Sequence, residues 1–391
     1  MSTRCFRACR LLGGLVLSLA SLGSARAGVT NPDISVIAQP FISWTDDRGD
    51  TGNPDRKRVR LQAGETELMF DAALNPYARG TVIAAFAEGE VGVEEGYFVL
   101  SRGLPFGLAL KGGKYRAGFG KVNPQHPHAL PFAERFHVLS TYLPGEEAFI
   151  ETGLSVSERI PMPGELSLIA SADWLQGDSF RPAAEEEEAE KHGGATASDG
   201  TRPAVLGRLS GFTMLGERSG LEFGLSATHG TNDAVEGLRT TVLGGDVKAK
   251  LWNSPNSYLL VQGEVLRLDR EAEPEHHEAF ARGARLAEEG HAVESIDPVG
   301  GYLFADYNFS GRYNVGASYE RFQQATPEKI WDSSVGLFAG FALMEETTAF
   351  RFGWERYQPG KPDGAEESPD AVNSITFRMI FSMGPHKAHA F

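Results

Sequence analysis

Cysteine is almost absent from this chain of 391 residues: only Cys5 and Cys9 occur, and both lie among the first ten residues. The rest of the sequence therefore offers no disulfide, no thiolate metal site and no cysteine nucleophile. Long apolar runs are also rare, because beyond residues 11–22 no stretch approaches the ~18 consecutive apolar residues that a transmembrane helix needs. Basic residues are outnumbered, with 37 Lys and Arg against 52 Asp and Glu, which argues against nucleic acid as a partner.

The first residues have the order of a secretory signal peptide. Three arginines at positions 4, 7 and 10 precede the apolar run 11–22, and small residues follow at Ala25 and Ala27. This order predicts a signal peptide over residues 1–27, cleaved after Ala27. No cysteine follows the cleavage site, so we expect no lipid anchor. The mature chain, residues 28–391, would carry a net charge of about −19.

Strict alternation of apolar and polar residues dominates the mature chain. Residues 246–251, 313–320, 350–355 and 375–383 show it, with one apolar face and one polar face along each segment. A soluble sandwich alternates too, but its strands run about 5 to 6 residues, whereas the strands of this chain run near 10 to 13 residues, about the length of a tilted membrane-spanning strand. We therefore predict an all-β transmembrane antiparallel barrel.

Sixteen strands account for the pattern, with short turns at one end and long loops at the other, as in outer-membrane barrels. The long loops lie near 120–146, 177–202 and 270–297, and we expect no N-terminal plug domain. An amphipathic last strand and the terminal Phe391 are typical of substrates of the outer-membrane assembly machinery. The predicted strands are 34–44, 59–74, 77–88, 91–101, 105–118, 147–159, 165–176, 203–216, 221–231, 239–251, 257–268, 298–310, 313–323, 331–343, 347–358 and 372–383.

Catalytic motifs are missing. We find no nucleotide-binding glycine fingerprint, no zinc-protease helix and no nucleophile elbow. A non-contiguous pair such as Ser171 with His229 is the one hydrolase arrangement left open. We expect no enzyme activity and no required cofactor.

Histidine and carboxylate collect in the long loops, and both are suitable ligands for zinc and similar ions. By strand parity these loops open to the outer side, where they would capture a transient divalent cation. The alternative is a solvated acidic surface, with the His-Pro-His segment only stiffening a loop that folds into the pore. The candidate ligands are His126, His128, His137, His192, Glu275, His276, His277, Glu278 and His291.

The polar face of the strands would line the pore. Its charges are of mixed sign, so they predict no ion selectivity, and internal ion pairs that brace the wall are the simpler interpretation. The candidate lining residues are Lys248, Lys250, Glu264, Asp306, Glu320, Arg351 and Arg378.

Three segments resemble a bacterial family labelled zinc-regulated TonB-dependent outer-membrane receptors. They are Asn31–Ile37, Val93–Phe98 and, above all, GLALKGGKYRAGFGKVNPQHPHALPF over Gly107–Phe132, with the closing GPHKAHAF. The Gly-Lys-Tyr-Arg-Ala-Gly-Phe-Gly stretch is also similar to phosphate-selective porins, where a strand enters the constriction loop. The resemblance implies an outer-membrane barrel that aids entry of a divalent metal. An energised receptor needs about 22 strands and a plug domain. The mature chain predicted here is long enough for only about sixteen strands.

Three functions follow as hypotheses. The first is a porin-like channel in the bacterial outer membrane whose His-rich and acidic outer loops concentrate zinc. The second is a general or anion-selective porin, of the phosphate type, with no metal role. The third is a structural or adhesive barrel without ion flux. The expected partners are outer-membrane lipid, the assembly machinery, the metal ion and two further copies in a homotrimer.

Overall fold

The chain folds into one continuous antiparallel sheet. The computed structural model describes residues 31–47, 59–87, 90–145, 148–181, 202–233, 237–272, 285–286, 292–343, 347–362, 364–365 and 367–385. Its strands are β1 Asp33–Ala38, β2 Phe41–Thr45, β3 Arg60–Gln62, β4 Thr66–Ala73, β5 Ala78–Ala87, β6 Glu90–Leu100, β7 Ala109–Arg116, β8 Ile150–Ile160, β9 Ser167–Leu175, β10 Ala204–Leu215, β11 Ser219–Thr231, β12 Arg239–Ser254, β13 Ser257–Ala272, β14 Arg285–Leu286, β15 Ala292–Ile296, β16 Val299–Phe309, β17 Tyr313–Gln323, β18 Trp331–Ala342, β19 Thr348–Gln358 and β20 Val372–Met383.

The sheet closes on itself, which confirms the predicted barrel of sixteen strands. Three spanning strands are each made of two segments, β1 with β2, β3 with β4, and β15 with β16, and the two-residue β14 lies outside the wall. The first and last strands pair, with Val36 opposite Met383 and Phe41 opposite Arg378. Closure leaves no free edge along the described strands of the wall, as a sheet surrounded by lipid requires.

The alternation of the sequence becomes an apolar outside and a polar inside. Along β17, Val315 and Tyr319 are about half exposed on the outer face, while Glu320 is 2% exposed on the inner face. Near the end with the short turns, aromatic rings stack from strand to strand. Phe309, Tyr313, Phe341 and Phe350 have successive centroid distances of 5.4, 5.1 and 6.4 Å. Such a band is typical of the boundary between lipid tails and water.

Strand boundaries differ from the prediction at the start of the chain. The predicted strand 34–44 is broken at Pro40, which has no N–H for the ladder and whose carbonyl instead accepts the Met379 N–H. The predicted strand 59–74 is broken at Gly64, where φ is +63° and the Gln39 backbone packs directly against the glycine. The fifth predicted strand begins at Ala109 instead of residue 105, because Pro105–Gly107 form a 3-10 turn.

The connections keep the predicted parity. Seven connections at one end are short, at residues 74–77, 101–108, 161–166, 216–218, 255–256, 310–312 and 343–347. Strands β13 and β15 extend beyond the wall and shorten the loop predicted over 270–297, because Arg270 pairs with Ile296 and Ala272 with Glu294. That the end with the short turns faces the periplasm stays a prediction.

One long connection turns into the barrel. Residues 117–149, between β7 and β8, contain the short helix α1 (His137–Tyr142) and are here called the inserted loop. Its apolar side chains Phe132, Phe136 and Leu139 are buried in one cluster with Phe304 and Phe338 of the wall. Throughout the described ranges, no helix has the length and apolar content to cross a membrane.

Candidate functional site

Asn123 closes the base of the inserted loop. Its side-chain amide donates to the Ala117 carbonyl at 2.8 Å and the Phe149 carbonyl at 3.1 Å, and its oxygen accepts the Phe149 N–H at 2.9 Å. One fully buried residue thus joins the two ends of the loop. Buried amides bonded on both sides fix the backbone, since each broken bond would leave an unsatisfied group.

Glu264 of β13 holds the entry of the loop from the wall. Its Oε1 accepts the backbone N–H groups of Lys121 at 2.7 Å and Val122 at 3.0 Å, and the Tyr302 hydroxyl at 2.6 Å. The carboxylate approaches so closely that a Cβ on Gly120, whose φ is +62°, would lie 2.0 Å from its Oε2. Only glycine fits at that position.

Glu320 of β17 holds the helical part of the loop. Its two oxygens accept the N–H groups of His137 at 3.2 Å and Val138 at 3.1 Å, at the N-terminus of α1. The His137 ring contacts Glu355 of β19 at 3.1 Å. Burial by itself lowers the pKa of His137, but Glu355 and Glu320 outweigh burial and raise it above its usual value.

Four carboxylates crowd the opposite wall, in a group here called the acidic patch: Glu65 and Glu67 at β4, and Glu94 and Glu95 on β6. A β-bulge explains the adjacent pair on β6. The pairing with β5 passes from Ile83 opposite Glu95 to Ala84 opposite Val93, so Glu94 is the extra residue. A bulge re-aims a side chain, and both carboxylates therefore meet the lumen.

His126 and His128 bring the inserted loop onto the acidic patch. The His126 Nδ1 lies 3.2 Å from Glu67 and 3.6 Å from Glu94, and its Nε2 lies 2.7 Å from Glu95. The His128 Nδ1 lies 3.0 Å from the other oxygen of Glu67. The two imidazole rings stack with centroids 5.5 Å apart.

The two rings have opposite protonation tendencies. Burial by itself lowers the pKa of His126, but its contacts with Glu67 and Glu95 outweigh burial and raise the pKa to about 10. Burial lowers the pKa of His128, and its contact with Glu67 does not compensate. The two pKa shifts therefore have opposite directions, although both rings contact Glu67.

A cavity of about 430 Å³ opens between the inserted loop and the end with the short turns. Four cations line it, Lys248, Lys250, Arg312 and Arg351, and we call this space the cationic vestibule. Among the described residues that line it, Asp306 is the only carboxylate. His128 lies at its edge, so the vestibule and the acidic patch adjoin.

The seven predicted lining residues all lie on the inner face, in three different settings. Lys248, Lys250, Asp306 and Arg351 line the vestibule. Glu264 and Glu320 bind the inserted loop, so the loop covers them. Arg378 lies over the Phe41 ring and 3.9 Å from Glu134 of the loop.

The predicted metal ligands fall into two groups, those in the lumen and those outside the described residues. His126, His128 and His137 lie in the lumen and not on the outer side, because the inserted loop turns inward and its apolar face packs on the wall. The structure brings His126 and His128 together but leaves His137 with Glu320 and Glu355. The other candidates lie outside the described residues: His192, Glu275, His276, His277, Glu278 and His291.

Sequence reasoning missed the acidic patch. Glu65, Glu67 and Asp71 share one face at period two, which was a detectable signal, but Glu94 joins that surface only through the bulge. Arg312 was missed because it lies in a turn. The pair Ser171 and His229 is not assembled, since the residues oppose Arg208 and Val205 on β10 and His229 instead bonds Thr241 at 2.8 Å.

Comparisons with known proteins agree on the fold. No protein-family model matches the chain. A protein of Aquifex aeolicus (strain VF5), described as uncharacterized, is 27% identical over 341 residues, which cover 83% of this chain and 69% of that protein. An anion-selective porin from Comamonas acidovorans superposes with a TM-score of 0.58 at 10% identity, covering 90% of this chain and 99% of that one.

A second solved structure is similar as well. The trimer form of OmpT, an outer-membrane protein of Vibrio cholerae, superposes with a TM-score of 0.53 at 11% identity, covering 90% of this chain and 99% of that one. At these identities the likeness concerns the fold alone. The chain has the closed sixteen-stranded barrel of outer-membrane porins.

Proposed function

We propose that the chain is a porin-like channel of the bacterial outer membrane that favours small anions. The observation that carries the proposal is the cationic vestibule, where four cations face one carboxylate around an open space. The fold supports the channel, and one of the similar structures is itself described as an anion-selective porin. This proposal replaces zinc uptake, our first hypothesis, with the second one.

Charge in a confined space selects ions by changing their local concentration. Cations along a low-dielectric wall attract anions and repel cations, by factors of about 10 or more when the field is focused. Two of the four side chains are also held in place. Lys250 lies over the rings of Trp252 and Tyr258, and Arg351 donates to the Pro127 carbonyl at 3.4 Å. The charge that lines the cavity is therefore predominantly positive, and part of it is held in place.

The experiment is a reversal-potential measurement on the refolded mature chain in planar bilayers under a potassium chloride gradient. Salt is kept near 0.1 M, where the screening length is about 10 Å. We expect the reversal potential to have the sign that preferential chloride permeation produces, and to be smaller at high salt. A potential with the sign of potassium would refute anion preference, and no conductance at all would favour a structural or adhesive barrel.

Zinc uptake through the outer loops stays a second hypothesis, since its ligands His192, His276, His277 and His291 lie outside the described residues. Its test is the release of zinc-limited growth by the intact gene and its loss when these histidines are replaced. The signal peptide, insertion by the assembly machinery and the homotrimer also stay predictions. The trimer form of the similar OmpT supports the last of these.

A further inference from the structure

The histidines of the inserted loop and the acidic patch bring three ligating groups, Glu67, His126 and His128, within 4.8 Å of one another, and Glu94 lies beside His126. The His126 Nδ1 is 3.2 Å from the Glu67 Oε2 and 3.6 Å from the Glu94 Oε2, and the His128 Nδ1 is 3.0 Å from the Glu67 Oε1. Ligand atoms about 2.0 to 2.1 Å from a tetrahedral ion are roughly 3.3 to 3.4 Å apart. The three observed separations, 3.0 to 3.6 Å, are close to this spacing.

Three of these atoms are buried and make no hydrogen bond within the described part of the chain: the Glu67 Oε2, the Glu94 Oε2 and the His126 Nδ1. Glu67 is only 1% exposed and His126 only 8%. Buried polar atoms without partners are costly, and two carboxylate oxygens facing a ring nitrogen need a cation between them. The geometry therefore points to a ligand at their meeting point.

Glu95 orients the His126 ring for such a ligand. Its Oε1 lies 2.7 Å from the His126 Nε2, while its Oε2 accepts the Arg116 backbone N–H at 3.2 Å. When a cation displaces the Nδ1 proton, a carboxylate that accepts the Nε2–H leaves the lone pair of Nδ1 pointing into the cluster. Metal-binding histidines are usually held in this way, with the second ring nitrogen bonded to a carboxylate.

The charge of the acidic patch also favours a cation. Its four carboxylates face Arg116, which pairs with Glu94, and Lys111, which acts electrostatically on Glu95. Negative charge therefore prevails around the histidines in a buried setting, where unpaired charges are expensive.

A second histidine cluster lacks these features. Around His137, the Glu320 oxygens each accept a backbone N–H, and the Glu355 Oε1 accepts the Ser334 hydroxyl at 2.5 Å. The His137 side chain is also 39% exposed. Its ligating atoms already have partners, so it serves as the comparison site.

We propose that Glu67, Glu94, His126 and His128 bind one divalent transition-metal ion, of the size and ligand preference of zinc. The two histidines come from the inserted loop and the two carboxylates from separate wall strands, so the ion would fasten the loop to β4 and β6. This ion is a fixed part of the channel and not its cargo. The proposal does not depend on anion selectivity.

The experiment is calorimetric titration of zinc chloride into the refolded mature chain after removal of metal with a chelator. Three proteins are compared: wild type, His126→Ala/His128→Ala, and the control His276→Ala/His277→Ala, which removes a histidine pair outside the described residues. We expect one tight site per chain in wild type and control. The first variant should lose at least about a hundredfold in affinity.

Equal zinc affinity in wild type and the His126→Ala/His128→Ala variant would overturn the proposal, as would the absence of a stoichiometric site in wild type. If the His126→Ala/His128→Ala variant does not fold, the control protein is measured alone. Loss of the tight zinc site in the control would then contradict the proposal. X-ray absorption at the zinc edge should show two imidazoles and carboxylate oxygens in a four-coordinate shell. A shell without imidazole would also overturn the proposal. A reversal potential measured without zinc bears only on the proposed function.

Discussion

Two regions of the same lumen, the acidic patch and the cationic vestibule, use charge in opposite ways. Both lie on the polar face of alternating strands and meet at His128. The acidic patch is covered by the inserted loop, and its carboxylates contact His126, His128 and Arg116. The vestibule is an open cavity that four cations and one carboxylate line. Net charge does not predict this, because the chain as a whole is strongly acidic.

The difference indicates a division of labour within the barrel. Four acids on the inner face bind the loop: Glu264 and Glu320 accept backbone N–H groups, and Glu67 and Glu95 contact histidines. Acids used in this way do not meet the solute. The surface left for the solute is then more basic than the composition of the strands suggests. The predicted lining residues do lie on the inner face. The prediction gave no information about which of them are exposed to the solute.

The largest expected effect comes from removing a loop anchor. Replacing Glu264 by Ala leaves the buried N–H groups of Lys121 and Val122 and the Tyr302 hydroxyl without their acceptor, at a cost on the order of 3 kcal/mol of local stability. We expect amide exchange at residues 121 and 122 to accelerate and the open-channel current to become noisier. The variant Glu264→Gln keeps an acceptor oxygen and should recover part of the protection. Unchanged exchange in both variants would contradict the anchoring role.

Neutralising two cations of the vestibule should reduce the contrast in charge between the two regions. In the Lys250→Gln/Arg351→Gln double variant, the chloride-to-potassium permeability ratio should fall about tenfold, because the focused positive potential is reduced. Reversal potentials at 0.1 M salt measure it. The control Lys329→Gln removes a lysine that lies 67% exposed near Asp297, outside the vestibule, and should leave the ratio unchanged. Equal effects of both changes would show that the vestibule does not select.

Binding of zinc at the acidic patch should change the charge at the border between the two regions. A divalent cation next to His128, at the edge of the vestibule, adds positive potential there and should raise the chloride preference roughly twofold. The measurement is the reversal potential before and after micromolar zinc, with the metal then removed by a chelator. In the His126→Ala/His128→Ala variant the shift should disappear. A shift that persists in this variant would assign the effect to another zinc site.

The smallest expected effect is a pH dependence at the comparison site. His137 faces Glu320 of β17, Glu355 and Tyr357 of β19, and Glu134 of the loop, and these carboxylates raise its pKa although burial lowers it. A raised folded-state pKa stabilises the protein below the unfolded value of about 6.5, and the contribution is lost as pH rises through the folded value. Partial exposure limits it to below about 1 kcal/mol.

The test of this pH dependence is thermal unfolding of wild type and His137→Gln in detergent at pH 5.5 and pH 9.5. The variant should be less stable at the lower pH and nearly equal to wild type at the higher pH. The exposed His229, which bonds Thr241, supplies the control His229→Gln, for which we expect no such difference. A deficit of His137→Gln that is the same at both pH values would mean that the charge of His137 does not contribute.

Prediction from sequence succeeded where one strand repeats a local rule and failed where two segments meet. The alternation along β17 and β20 follows from the period of a strand and places Glu320 and Arg378 inward without further information. The position of His126 depends on where residues 117–149 go, and only packing of Phe132, Phe136 and Leu139 against the wall decides that. Glu94 points inward because of a bulge opposite residues 83 and 84, which alternation cannot foresee.

The sequence by itself determined the barrel: the strand count, the order of short and long connections, and the apolar outer and polar inner faces. These properties are local, since each strand must pair its backbone N–H and C=O groups with a neighbouring strand and present one face to lipid. Tertiary structure alone decided which inner charges reach the solute. The inserted loop covers one set of carboxylates and leaves the cations of the vestibule open, because its apolar side chains are buried against β16 and β18 and its backbone is held by Glu264 and Glu320.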